Sequence, residues 1–197
     1  MPSPAGVPQP EVRVAQLRAD LEVLPEIWPD RAGRIRARLR PETLAAIESA
    51  TRLDWMPFAA DLEVVEAVHA EGGDAATREW SRRALLRTAK APLLKPLVDG
   101  AVRLFGLEPG GVLRFAPRVW GTIFRHCGDM EVAGGEREAR VSLLRLPPPV
   151  RHHPFLVSIG GAVEAVGDIC RVKGQVTFEP RAAASDRADF VMRWTRG

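Results

Sequence analysis

Tyrosine is absent from this 197-residue chain, cysteine occurs twice, and lysine stands only at Lys90, Lys95 and Lys173. Two cysteines, Cys127 and Cys170, are too few for a disulfide framework, and both read as small buried hydrophobes kept as thiols in a reducing compartment. No run of about eighteen uncharged apolar residues occurs, which excludes a membrane-spanning helix. The opening MPSPAGVPQP lacks the basic-then-apolar order of a secretory signal, so a cytoplasmic location is expected. C-x-x-C, H-x-x-x-H and H-E-x-x-H are missing, as are G-x-S-x-G, the P-loop and a post-strand G-x-G-x-x-G. The common metal sites and reaction classes therefore have no signature, and no catalytic residue, metal or cofactor is assigned.

What is present describes an ordinary folded domain, with 46% hydrophobic and 27% charged residues. One α+β domain over residues 11–197 is expected, after a disordered tail at 1–10 that holds four prolines and no charge. The 28 basic residues exceed the 25 acidic ones by three, weak attraction for a polyanion. Arg31, Arg34 and Arg38 recur at helical spacing with no aromatic residue interleaved for base stacking. They read as a solvated face, and no nucleic-acid partner is expected.

Apolar spacing predicts a helix over 12–24, then short helices begun by Asp30 as N-cap and by Pro41 at the first helical position. A helix through His69 is stopped by Gly72-Gly73, and Asp74 caps the next. APLLKPLVDGAVRLFG carries an apolar stripe wide enough to belong inside a bundle or against a sheet. Strand patterns follow Cys127. DMEVAGGEREARVSLLRL reads as a hairpin turning at Gly134-Gly135. A helix over about 151–166 has Gly167 as its C-cap, and a second hairpin alternates from Cys170 to Phe178 and from Ala188 to Trp194, each strand with one wet and one buried face. The fold class is α+β: an N-terminal helical layer packed on a C-terminal four-stranded antiparallel sheet, two hairpins separated by a helix. EPRAAASDR between the last strands reads as a solvent loop.

TIFRHCGD, at the seam between helix and strand, places a histidine beside a cysteine. Val112, Phe115, Val119 and Ile123 form one helical stripe. Seven residues beyond Val119 is two turns less about 20°, which directs the His126 imidazole inward. Cys127 diverges from it by about 100°, so the two make no nucleophile-base pair. Trp120, Phe124, His126, Phe155 and Ile159 are the candidate walls of an apolar pocket, and Gly160-Gly161 would allow close helix-to-sheet approach or leave room for a ligand.

Helices leading into MEVAGGEREARVSLLRL, then HHPFLVSIGGAVEAVGD, ICRVKGQVTFEP and RADFVMRW, are similar to the C-terminal half of the superfamily of haem NO-binding, vinyl-reductase-like and TRAPP-subunit domains. The chain more closely resembles uncharacterised bacterial proteins of about this length with that fold. The resemblance covers about residues 31–194. It implies a buried pocket for haem, a phenolic effector or an acyl chain, and hence a non-enzymatic sensory or regulatory domain. The alternative it implies is a docking module, with a homodimer or protein partner in place of a small apolar molecule; an enzyme of unknown class is the third reading. The haem-binding members' tyrosine-x-serine-x-arginine motif has no counterpart: tyrosine is absent, and Ser142 and Arg145 stand at the wrong separation.

Overall fold

The computed structural model describes residues 8–179 and 185–195. Strand β1 (Glu11–Arg13) leads into helices α1 (Val14–Glu22), α2 (Leu24–Ile27), α3 (Pro29–Ala37) and α4 (Pro41–Ser49). Proline stands in the first turn of α2, α3 and α4, where its missing N–H would have no helical partner anyway. Trp28, not Asp30, occupies the cap of α3; Asp30 lies in the first turn, where its charge still suits the helix dipole.

Strand β2 (Trp55–Pro57) precedes the long α5 (Ala59–Lys90), whose two segments meet at a bend at Gly72 and Gly73. Gly73 has φ 62° and ψ −157°, a conformation reserved for residues without a Cβ. Just before the bend, Glu71 accepts hydrogen bonds from Arg34 and Arg38, with Nη2 to carboxylate distances of 3.2 and 3.0 Å. The arginine row thus faces solvent and one carboxylate.

Helices α6 (Lys95–Phe105), α7 (Pro109–Leu113) and α8 (Ala116–Ile123) follow, then β3 (Phe124–Arg125), β4 (Asp129–Gly134) and β5 (Glu138–Leu144). Helix α9 (His153–Ile169) separates these from β6 (Lys173–Glu179) and β7 (Ala188–Thr195). The four-stranded sheet has the order β4-β5-β7-β6 with every pair antiparallel, two hairpins joined along β5 and β7. That is the α+β arrangement the sequence predicts.

Several local expectations are corrected. Residues 11–13 are a strand, the centre of a small sheet ordered β2-β1-β3, because their partners arrive from far along the chain. The first hairpin turns at Glu136-Arg137, with the Gly135 N–H donating to the Glu138 carbonyl at 2.9 Å. Gly167 is buried inside α9, which runs on to Ile169 and ends before a left-handed Arg171. Cys170 and Val172 consequently fall in the connection ahead of β6. Strand β7 has no wet face over its first half: Asp189 and Val191 are as buried as their neighbours. Asp189 accepts hydrogen bonds from Ser142 Oγ at 2.6 Å and from Arg187. Of the expected tail, Pro10 is tied down, its carbonyl accepting the Phe58 N–H at 2.9 Å. Residues 1–7 and 180–184, the latter in the expected solvent loop, lie outside the described residues.

Helix α9 lies between the sheet and α5. Gly160 and Gly161 do permit a close approach, but of helix to helix. A Cβ at Gly161 would stand 2.2 Å from the Arg78 carbonyl oxygen of α5, whereas one at Gly160 would meet only the Arg78 guanidinium, at 3.6 Å. The crossing is fastened by Arg78 to Glu164 at 3.0 Å and Arg82 to Asp168 at 2.5 Å. Gly161→Ala is therefore expected to lower stability by roughly 1–3 kcal/mol, as overpacking against backbone does. Gly160→Ala should be nearly neutral. Denaturant titration of the two variants separates them.

Two carboxyls, Asp20 of α1 and Asp61 of α5, are each 3% exposed. Burial pushes the Asp61 pKa up to about 7, and burial together with the Asp61 charge raises that of Asp20 despite the Gln16 hydrogen bond. Below about pH 4 Asp61 is protonated in both folded and unfolded states and contributes nothing to pH dependence. Between there and about pH 7 the unfolded chain ionises first, so stability falls as pH rises, by at most about 1.4 kcal/mol per unit. Asp61→Asn should flatten the stability profile in that window and be more stable than the parent at pH 8, as urea unfolding across pH would show.

Candidate functional site

The amphipathic stripes of α6, α8 and α9 do not close on one another completely. Between them lies a chamber of about 120 Å3. Leu97, Val98 and Ala101 of α6 form its outer wall, Val119, Trp120 and Ile123 of α8 its floor, and Ile159, Val163 and Val166 of α9 the side toward the sheet. Leu85 and Ala89 of α5, Val112 and Leu113 of α7, and Met130 of β4 complete it. Helix α6 packs chiefly on α7 and more lightly on α5, and only Ala101 of its residues is fully buried. The wide stripe read as interior is thus spent on a cavity wall.

Trp120, Phe124 and Ile159 line the chamber. Phe155 stands behind them: its ring centroid is 5.6 Å from Phe124, 6.4 Å from Trp120 and 4.8 Å from Phe58, an aromatic cluster in edge and tilted geometry. The Trp120 indole N–H is satisfied by the Gly128 carbonyl at 3.0 Å.

His126 is not brought to the chamber. The helix ends at Ile123, Phe124 and Arg125 pair with β1, and His126 takes a left-handed φ of 58° that leaves it exposed. The inward orientation expected from helical spacing fails because the helix stops three residues earlier. Cys127 is fully buried, and its thiol donates weakly to the Glu11 and Arg125 carbonyls, at 3.6 and 3.4 Å. Burial pushes its pKa up to about 12, and that of Cys170 up to about 11. Neither is a poised nucleophile. Both thiols should resist an aromatic disulfide reagent at pH 8 in the folded protein and react on addition of denaturant; rapid native-state reaction of Cys127 would contradict this placement.

Most lining residues were legible only as core. Leu94, Leu97, Val98, Ala101, Val112, Val119, Ile123 and Val163 belong to stripes that the sequence shows. A stripe facing a cavity and one facing a filled core have the same period. The opposed branched and small side chains, such as Ala101 and Val163, leave the gap, and their pairing is a tertiary fact.

No protein-family model matches the sequence, and no curated protein is significantly similar to it. Solved structures are similar in fold. The Fe(II) unliganded H-NOX protein from K. algicida superposes with a TM-score of 0.65 at 8% identity, over 94% of this chain and 97% of that one. An oxygen-binding H-NOX domain related to soluble guanylate cyclases gives 0.61 at 9%, over 93% and 95%. The Cs H-NOX protein with 4-cyano-L-phenylalanine at site 5 gives 0.60 at 9%, over 93% and 97%. The chain has the fold of H-NOX, or haem NO-binding, domains.

The residues around this chamber do not fit a haem. Its iron would require an imidazole, thiolate, phenolate or thioether ligand, usually paired with second-shell support. Among the described residues the lining offers one thioether, Met130, and no histidine, cysteine or charged side chain. The space is also far smaller than a porphyrin needs.

Proposed function

We propose that this chain is a non-enzymatic sensory or regulatory domain that holds one small apolar molecule between α6, α8 and α9. The observation that carries the reading is the chamber itself, about 120 Å3 and bounded by aliphatic, aromatic and thioether side chains. A cavity of about 150 Å3 of the same character stays dry and binds benzene. Among the described residues no titratable group lines it, so these offer neither acid, base nor nucleophile, and binding without turnover is the chemistry left to it. The H-NOX domain solved as an oxygen complex binds its ligand within this same fold. Here the fold would receive the apolar molecule directly, with α6 as the wall that yields to admit it. The protein is read as a single domain over residues 11–197, working in the cytoplasm.

A docking role is the second reading, favoured by Leu104, Phe105 and Leu107, which are 69%, 39% and 46% exposed around the carboxyl end of α6. Movement of α6 around a ligand would alter this surface, so the two readings join naturally. Both are properties of a binding protein.

Benzene, toluene and indole serve as probes in thermal denaturation, with haemin as the contrast. A probe at about ten times its Kd stabilises by about 1.4 kcal/mol, a rise in midpoint of roughly 3–5 °C for a chain of this size. Val163→Phe, which fills the chamber, should abolish that rise while the variant remains folded. The reading fails if no probe shifts the midpoint, or if the filled variant responds as the parent does.

A further inference from the structure

Two histidines far apart in sequence, His69 and His153, meet at the bend in α5. His69 lies in the last turn of the first segment of α5, Asp74 begins the second, and His153 is the first residue of α9. Asp74 receives both rings: its Oδ1 lies 3.0 Å from His69 Nε2 and 3.1 Å from His153 Nε2, and its Oδ2 is 3.2 Å from the latter. The two imidazoles meet edge to face with centroids 6.2 Å apart. Beside them His152 Nε2 sits 3.1 Å from Glu66 Oε1, an adjacent pair already partnered.

We propose that His69, Asp74 and His153 form a site for a divalent transition-metal ion, which ties the amino end of α9 to the bend in α5. The three donor atoms lie within 4.8 Å of one another. Tetrahedral coordination with metal–nitrogen bonds of about 2.0–2.1 Å sets donor separations of about 3.3 Å, so the widest pair closes by at most about 1.5 Å. The side chains can make that movement: His69 is 32% exposed, His153 54% and Asp74 55%. Two imidazoles and one carboxylate select zinc, cobalt, nickel or copper over calcium and magnesium, which prefer all-oxygen sites. Three protein ligands leave coordination positions open to water. Local spacing hides such a site, since His69 and Asp74 are five residues apart across a break and the third ligand arrives from α9, 79 residues beyond Asp74. It stands independently of the apolar chamber.

The test is titration of the EDTA-treated full chain with Zn2+, and with Co2+ followed by visible absorption. One equivalent of each should bind saturably, Co2+ developing d–d bands, and Ca2+ should not compete. Loss even of an outer-shell partner weakens a metal site by about 10–100-fold, so His69→Gln, Asp74→Asn and His153→Gln should each weaken binding at least about tenfold. His126→Gln, a lone exposed histidine, should leave it unchanged. Far-UV circular dichroism confirms that each variant is folded. Absence of saturable binding by the parent would overturn the site, leaving His69 and His153 as hydrogen-bond partners of Asp74 alone. So would saturable binding that survives the double change His69→Gln, His153→Gln.

Discussion

The whole arrangement depends on how closely α9 can approach α5. At Gly161 the backbone of one helix lies against the Arg78 carbonyl of the other, a separation that no side chain with a Cβ tolerates. Because α9 also forms one face of the packing on β6 and β7, this contact sets the distance between the early helices and the late sheet. The flanking ion pairs, Arg78 with Glu164 and Arg82 with Asp168, fix rotation about the crossing rather than supplying much of its energy. They sit at one side of it, partly exposed.

Holding α9 against α5 has a consequence at its carboxyl half. There α6 and α8 must cover the opposite flank of α9, and their side chains do not reach far enough to fill it. The chamber is what remains. Its lining is aliphatic and aromatic because these elements carry only core-forming stripes at this level. The charged residues of the same helices point outward, as with the Lys95 and Asp99 ion pair on α6. A haem-sized opening would need α6 displaced and an axial ligand supplied, and neither the spacing nor the residue types provide for it. Identity of fold with H-NOX domains and difference of contents are thus compatible, since a fold fixes layers and connections while the site is made by a few side chains.

Elements with strong local periodicity were legible from the residues: the bent α5 with its Gly72-Gly73 break, α9, and the two hairpins of the four-stranded sheet. The small sheet was not, because β1, β2 and β3 are two or three residues long and acquire strand geometry only from one another. The inward orientation expected of His126 fails for a related reason. Its helical phase is correct up to Ile123, and the pairing of Phe124 with Val12 then takes the chain out of the helix. Trp120, Phe124 and Ile159 could be chosen as bulky inward residues. Which inward residues face space rather than neighbours depends on opposed side-chain sizes across three helices, and no one-dimensional pattern records that. The convergence of His69, Asp74 and His153 is hidden in the same way.

The chamber is tested most directly by diffraction from crystals pressurised with xenon, a spherical apolar probe that enters such spaces without chemistry of its own. A single ordered xenon is expected among Ala101, Trp120, Ile159 and Val163, with the surrounding backbone in place. Side chains collapsed into that volume, or a bound porphyrin occupying the region between α6 and α9, would contradict it.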